Sequence, residues 1–273
     1  MASITDNISE GLKYPFTDLK KLVTFGAFFA ALNIIFFAIS ELTVKIVKVF
    51  ALTRGNTLAL KFSQIPQDNV YAIAILTIII FIISLIIMGY QYNVMKFSID
   101  EKNDLPGFGD IANLLINGVK YFAVALIYNI LPIIVFVVGV ELLAFQNGDY
   151  IVSIIALILF IICNFLLIMG LANMIDSDKF TKAFDLREIT DKISNLGWVR
   201  YVGIILFTVL VYVIIMIFIG VIMMILSTFI ALAVNQAIML AAIISIIEGL
   251  FISPYMSIFF NRVYGSVYKE SIQ

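Results

Sequence analysis

The chain has 273 residues, of which 63% are hydrophobic and only 13% are charged, whereas about a quarter of the residues in soluble domains are charged. A water-soluble fold of this size cannot hide so much apolar surface, so lipid must surround most of the side chains. The 17 basic and 18 acidic residues nearly balance, and this gives no sign of a nucleic-acid partner.

The N-terminal segment Ser3–Asp18 is polar and of mixed charge, and the first apolar run follows it directly. A cleavable signal peptide instead begins with a basic region and a short apolar core. We therefore expect the first apolar run to stay in the protein as a membrane span.

Six apolar runs follow, each about as long as the 20 residues that cross a bilayer core of about 30 Å. They are continuously apolar, as at Ile78–Ile83, whereas barrel strands alternate apolar and polar residues. We predict one all-α polytopic membrane domain over residues 1–273. Its predicted spans are Leu22–Val44, Val70–Tyr90, Val119–Phe145, Tyr150–Met174, Tyr201–Ser227 and Ala237–Phe260. The short links Gln146–Asp149 and Thr228–Gln236 predict tight hairpins.

Basic residues are unevenly distributed between the two sides of these spans, and cytoplasmic loops generally carry the excess of Lys and Arg. Only Lys45, Lys48, Arg54 and Lys61, all in the first loop, lie on one side; the other thirteen of the 17 lie on the other. We therefore predict that both termini are cytoplasmic and that the protein lies in the cell membrane.

A weak threefold repeat organises the chain, with a Gly, a basic residue and a Tyr before each odd span. The three occurrences are Gly11–Tyr14, Gly118–Tyr121 and Gly197–Tyr201. The predicted copies cover residues 1–96, 97–179 and 180–273 and run parallel, because each contains two spans. As anchors at the headgroup level we assign the basic and Tyr residues of the motif: Lys13, Tyr14, Lys120, Tyr121, Arg200 and Tyr201.

A short amphipathic pattern precedes each of these motifs and predicts a helix on the inner leaflet. Asp185 followed by Glu188 resembles a helix-start capping box, and Asp110 is placed to cap the helix of the second copy. The apolar residues of the three patterns are Ile4, Ile8 and Leu12, then Ile111, Leu114 and Leu115, then Ile189, Ile193 and Leu196.

One group of residues resembles the core signature of a known family. Leu105-Pro106-x-Phe108, Gly118-x-Lys120, and Tyr128 with Pro132 are similar to domain-of-unknown-function family 4013, an uncharacterised group of prokaryotic multi-pass proteins common in archaea. The gap between Tyr128 and Pro132 is slightly longer than in the family pattern. The resemblance implies a membrane location and a duplicated helical architecture, and it implies no activity.

Polar side chains within the spans are the candidate site, because ionisable residues at mid-depth are costly and often functional. Glu248 is near the middle of span six, and Asn33, Asn129 and Asn164 are at similar depth in spans one, three and four. If the bundle brings them together, they form a polar belt that lines a route for an ion, a proton or a small solute. Alternatively, the amides join helices structurally and satisfy Glu248.

Two functions fit this pattern. The sequence favours transport or solute handling through the belt around Glu248; the alternative is a membrane-organising or scaffold protein that binds lipid headgroups or a partner at the inner leaflet. We expect membrane lipids as partners and no nucleic acid, and the sequence does not decide between a protein partner and a homo-oligomer. With no histidine and the single cysteine Cys163, we expect no enzyme, no metal site and no cofactor.

Overall fold

The structure, a computed structural model, describes residues 3–53, 66–143, 149–233 and 237–273. Within these ranges it is helical and contains no strand. The helices are α1 (Ile4–Lys13), α2 (Leu19–Thr53), α3 (Gln67–Ile99), α4 (Ile111–Leu143), α5 (Asp149–Ser177), α6 (Leu186–Leu196), α7 (Trp198–Ala233), α8 (Ala237–Ile247) and α9 (Ser253–Ser271). A π-helical turn, Glu248–Ile252, connects α8 to α9.

Six of these helical segments are long and apolar enough to cross a membrane, which confirms the predicted class and number of spans. They are Leu19–Ile46, Gln67–Ile99, Ile111–Gly139, Tyr150–Ser177, Trp198–Phe229 and Ala242–Ser271. Residues 228–233 of the second predicted link are helical, because α7 continues to Ala233. The rest of that link, at 234–236, and residues 146–148 of the first lie outside the described residues.

The two short helices α1 and α6 begin where the sequence provides caps. Ser3 and Asp6 form a reciprocal capping box at α1, and Asp185 accepts the backbone N–H of Glu188 at α6. Gly197, with φ of 93°, ends α6. The second predicted amphipathic segment is not a separate helix: α4 starts at Ile111, capped by Asp110, and continues into the span. The repeat stays a prediction.

Glycines let the spans cross at backbone contact. A Cβ at Gly118 would lie 1.9 Å from the Leu85 carbonyl oxygen of α3, so only glycine fits there. A Cβ at Gly26 of α2 would likewise lie 2.0 Å from the Leu250 carbonyl oxygen. Pro254 follows Leu250 by four residues and has no N–H to donate to the Leu250 carbonyl. The π-helical turn and the close crossing with α2 therefore coincide at this point of span six.

Buried residues concentrate at one end of the bundle, which holds α1, residues 100–110 and 178–197, and the C-terminal half of α9; we call it the terminal end. The buried core there includes Ile8, Tyr90, Met174, Ile193 and Tyr268. Towards the other end, the described parts of the spans are mostly exposed. None of the most apolar stretch of α7 is buried, and this agrees with lipid as its surroundings.

Candidate functional site

The amides of Asn129 and Asn164 meet between α4 and α5. The Nδ2 atom of Asn164 donates to Oδ1 of Asn129 at 3.2 Å, and it also donates to the Phe160 carbonyl at 2.8 Å. Nδ2 of Asn129 donates to the Ala125 carbonyl of its own helix at 2.8 Å. Each amide therefore donates to a carbonyl of its own helix, and the one hydrogen bond from Asn164 to Asn129 joins the two helices.

Asn33 belongs to a different contact, between α2 and span six. Its Nδ2 atom donates to the Ser245 carbonyl at 2.6 Å. Gly249 packs beside it, since a Cβ there would lie 3.0 Å from the Asn33 amide nitrogen. The structure thus brings Asn129 to Asn164, but it places Asn33 in another helix pair.

Glu248, the remaining residue of the predicted belt, begins the π-helical turn and is exposed on the surface of span six. Its carboxylate has no hydrogen-bond or ion-pair partner among the described residues. The four predicted polar residues therefore form an amide pair, a separate amide–backbone contact and an exposed carboxylate, and not one continuous belt.

Two cavities at the depth of the spans are lined mainly by apolar side chains. One, of about 460 Å³, lies between α5 and α7, with Phe160, Leu171 and Val209 among its lining residues and Asn164 on its wall. The other, of about 330 Å³, lies between α4 and α5 beside Pro132 and Phe136. Neither has the convergent polar groups that fix a small polar solute.

The motif residues predicted as headgroup anchors have different surroundings in the structure. Tyr14 and Tyr201 are buried, and their hydroxyls donate to the carbonyls of Asp104 and Phe165. Arg200 pairs with Glu270 at 2.6 Å. Tyr121 is half-buried, and Lys13 and Lys120 lie nearer the surface: Lys13 is exposed, and Lys120 is 3.6 Å from a carboxylate oxygen of Asp178.

A buried arginine at the terminal end, Arg262, was not recognised from the sequence. Its guanidinium bonds to the Glu10 carboxylate, donates to the Lys102 carbonyl at 2.6 Å and stacks over the Tyr14 ring at 4.2 Å. Burial raises the pKa of the Tyr14 hydroxyl to about 12, while the Arg262 charge opposes the shift. Arg262 thereby joins α1, α9 and the 100–110 loop.

A second polar cluster at the terminal end joins α5, α6 and α9. The Lys192 ammonium donates to Oδ1 of Asn173 at 2.5 Å and to the Tyr268 hydroxyl at 2.6 Å. It also pairs with Glu188 at 2.9 Å. Hydrogen bonds from Lys182 and Lys192 hold the pKa of Glu188 below its ordinary value. In the sequence, the signal for this cluster is an Asn that recurs after each even span, at Asn93, Asn173 and Asn261.

Two further cavities at the terminal end have polar walls. One, of about 330 Å³, includes Asn7, Glu101 and Arg262. The other, of about 390 Å³, lies between α3 and α4 and includes Lys96 and Lys120. Among the described residues no three His, Cys, Asp or Glu side chains are grouped to hold a metal ion.

Comparison with known proteins gives a family and one distant relative. The sequence pattern of the family described as "Protein of unknown function (DUF4013)" matches residues 72–228. The uncharacterized protein MJ1189 of Methanocaldococcus jannaschii is 28% identical over 211 residues, and the match covers 72% of each chain. No solved structure matches.

Proposed function

The chain belongs to the DUF4013 family of membrane proteins of unknown function, and we propose that it is a non-catalytic, membrane-organising protein of the cell membrane. In this proposal the terminal end faces the cytoplasm and binds anionic lipid headgroups. The observation that carries the proposal is a contrast between cavities: mainly apolar side chains line the two beside α5, and mainly polar or charged side chains line the two at the terminal end.

The terminal end presents exposed basic side chains that can contact lipid headgroups. Lys13, Lys20 and Lys179 are exposed there, and none has an ion-pair partner among the described residues. Long basic side chains at the ends of spans reach the headgroup layer while their stems stay against apolar surface. Each Lys or Arg close to an anionic surface contributes about 1 kcal/mol of attraction.

Ion pairs between helices stabilise the surface that carries these lysines. Arg262 with Glu10 joins α9 to α1, and Arg200 with Glu270 joins α7 to α9. Because these pairs hold the helix ends together, the exposed lysines keep fixed relative positions. Groups held in this way lose less conformational entropy when they bind a ligand.

The proposal is tested by the composition of the lipid that remains bound to the protein during purification. The protein is reconstituted in phosphatidylcholine containing one fifth phosphatidylglycerol, extracted in mild detergent, and its bound lipid is measured by mass spectrometry. We expect phosphatidylglycerol enriched over its share of the mixture, and less enrichment in the variant K13Q/K20Q/K179Q. K45Q removes a charge at the opposite end and serves as the control. Retained lipid with the composition of the mixture would overturn the proposal.

Solute handling is the alternative, and one observation favours it. Glu248 is at mid-depth on a π-helical turn, and π-helical turns and intramembrane carboxylates are both frequent at functional sites. Proton and sodium fluxes into proteoliposomes, measured with fluorescent indicators, separate the two functions. The membrane-organising proposal predicts the same flux as in empty liposomes. A flux that wild type has and E248Q lacks would instead establish the alternative.

A further inference from the structure

The cleft between the C-terminal turns of α3 and the N-terminal turns of α4 is a cavity of about 390 Å³ at the terminal end. The crossing at Gly89 and Gly118 brings the two helices together beside it. Asn113, Asn117 and Lys120 lie three and four residues apart on α4, and Asn93 and Lys96 lie three apart on α3. Such spacing places each set on one face of its helix, so both sets line the same cleft.

Several side chains of this cleft carry hydrogen-bond donors. Nδ2 of Asn117 donates to Oδ1 of Asn93 at 3.0 Å, and Asn117 is 7% exposed, so this contact fixes both amides. The amide nitrogens of Asn93 and Asn113 and the ammonium of Lys96 have no acceptor among the described residues. Two amide N–H₂ groups and a cation are therefore available to a ligand.

The charge of the cleft is positive. Lys96 and Lys120 line it with one carboxylate, that of Asp178. Asp178 is 74% exposed and lies 3.6 Å from the Lys120 ammonium, an arrangement that holds weakly in water. Asp110, the residue before α4, accepts the Asn113 N–H as the cap of that helix and does not line the cleft.

The position of the cleft identifies the source of an anionic ligand. Lys96 lies in the last turn of the span-two helix. Lys120 is nine residues inside the span-three helix, but its ammonium reaches Asp178, the residue after the end of α5. Both charges thus lie at the ends of spans, which is the headgroup depth of a bilayer. Ile116, 58% exposed, and Phe97 line the same cleft and offer apolar surface beside the cations. A lipid can contact the cations through its phosphate and the apolar residues through its chain, whereas a free phosphate contacts only the cations.

We propose that the α3–α4 cleft binds the phosphate group of an anionic membrane lipid. The Lys96 and Lys120 ammoniums and the amide nitrogens of Asn93 and Asn113 contact the phosphate oxygens, and Ile116 contacts the lipid chain. This site rests on the proposed function, because it assumes that the terminal end lies among lipid headgroups. It adds one defined lipid site to a surface whose other lysines attract headgroups only through their charge.

The test is a titration of delipidated full-length protein with short-chain phosphatidylglycerol, followed by native mass spectrometry. We expect K96Q/K120Q to weaken the tightest binding step about tenfold or more, because charge-assisted hydrogen bonds to the phosphate are lost. K45Q removes a charge at the opposite end of the spans and should leave that step unchanged. K96R/K120R keeps the charge and should restore binding, which separates a binding defect from misfolding.

The outcomes separate this site from the general function. If phosphatidylglycerol binds wild type but K96Q/K120Q binds it equally well, the cleft is overturned and the proposed function stands. If wild type binds phosphatidylglycerol no better than phosphatidylcholine, both are overturned. If inorganic phosphate competes with the lipid at equal concentration, the ligand is a soluble phosphate and the lipid assignment is wrong.

Discussion

At the scale of single residues, the polar side chains separate into those satisfied inside the protein and those left to a ligand or to lipid. Arg262, Tyr14 and Tyr268 are buried at the terminal end and bonded to neighbouring elements. Lys96, at the terminal end, and Glu248, on span six, are exposed. The buried set therefore determines stability, and the exposed set is where a function can be sought.

Arg262 provides the most direct test of the buried set. We expect R262M to lower the free energy of unfolding by about 1–3 kcal/mol, because the Lys102 carbonyl loses its donor and the Glu10 carboxylate its partner. Glu10 is 54% exposed, and the amide oxygen in E10Q can still accept from the guanidinium, so E10Q should cost only about 0–1 kcal/mol. Thermal unfolding in detergent measures both variants. Equal losses in the two would contradict the importance of the buried arginine.

The Lys182–Asp185–Glu188 cluster gives the protein a pH dependence. Hydrogen bonds from Lys182 lower the pKa of Asp185 and of Glu188 below their ordinary values of 3.8 and 4.5. A lowered folded-state pKa stabilises the protein above the unfolded value, and that stability is lost as the pH falls through the folded pKa. We expect the melting temperature to fall below about pH 4.5, and less steeply in K182M than in wild type. The same acid slope in K182M would contradict this.

Sequence reasoning could not locate these residue-level contacts. Arg262 and Glu10 are 252 positions apart, and nothing local to either residue indicates the other. The predicted belt around Glu248 depends on how four helices are rotated about their axes. The position of a residue within its span does not determine that rotation. By contrast, the spacing of Asn113, Asn117 and Lys120 on one helix face is visible in the sequence and could have indicated the cleft.

At the scale of elements, the spans are recognisable from length and hydropathy alone, and their pairing is decided by glycine contacts that hydropathy does not detect. The α3–α4 crossing has backbone contacts at Gly89 and Gly118, and the contact of α2 with span six has one at Gly26. The caps at Asp110 and Asp185 were predicted correctly, because a cap is a local property of the chain. The pairing of distant helices is not local.

The α3–α4 crossing can be tested with one methyl group. G118A should destabilise the protein by about 1–3 kcal/mol or more, since its Cβ would lie 1.9 Å from the Leu85 carbonyl oxygen and the helices must separate. The control is G220A in α7, where no atom lies within 4 Å of the added Cβ. We expect G220A to be neutral or stabilising by up to about 1 kcal/mol, as helix propensity predicts. Equal effects on the melting temperature would refute the close crossing.

At the scale of the whole molecule, an even number of spans predicts that α1 and the end of α9 lie on one side of the membrane, and we propose from the uneven basic residues that this side is the cytoplasm. Cysteine labelling tests this in a C163S background with an impermeant maleimide. We expect a cysteine at Asp68 to be labelled in intact cells and one at Glu101 only after permeabilisation. Labelling of the Glu101 position in intact cells would reverse the orientation.

We propose that the protein acts at its terminal end and not through a polar route between the spans. The most direct test compares the phosphatidylglycerol that wild type, E248Q and K96Q/K120Q retain on purification from the same lipid mixture. We expect E248Q to retain as much as wild type and K96Q/K120Q to retain less. Loss of the lipid in E248Q together with full retention in K96Q/K120Q would contradict it.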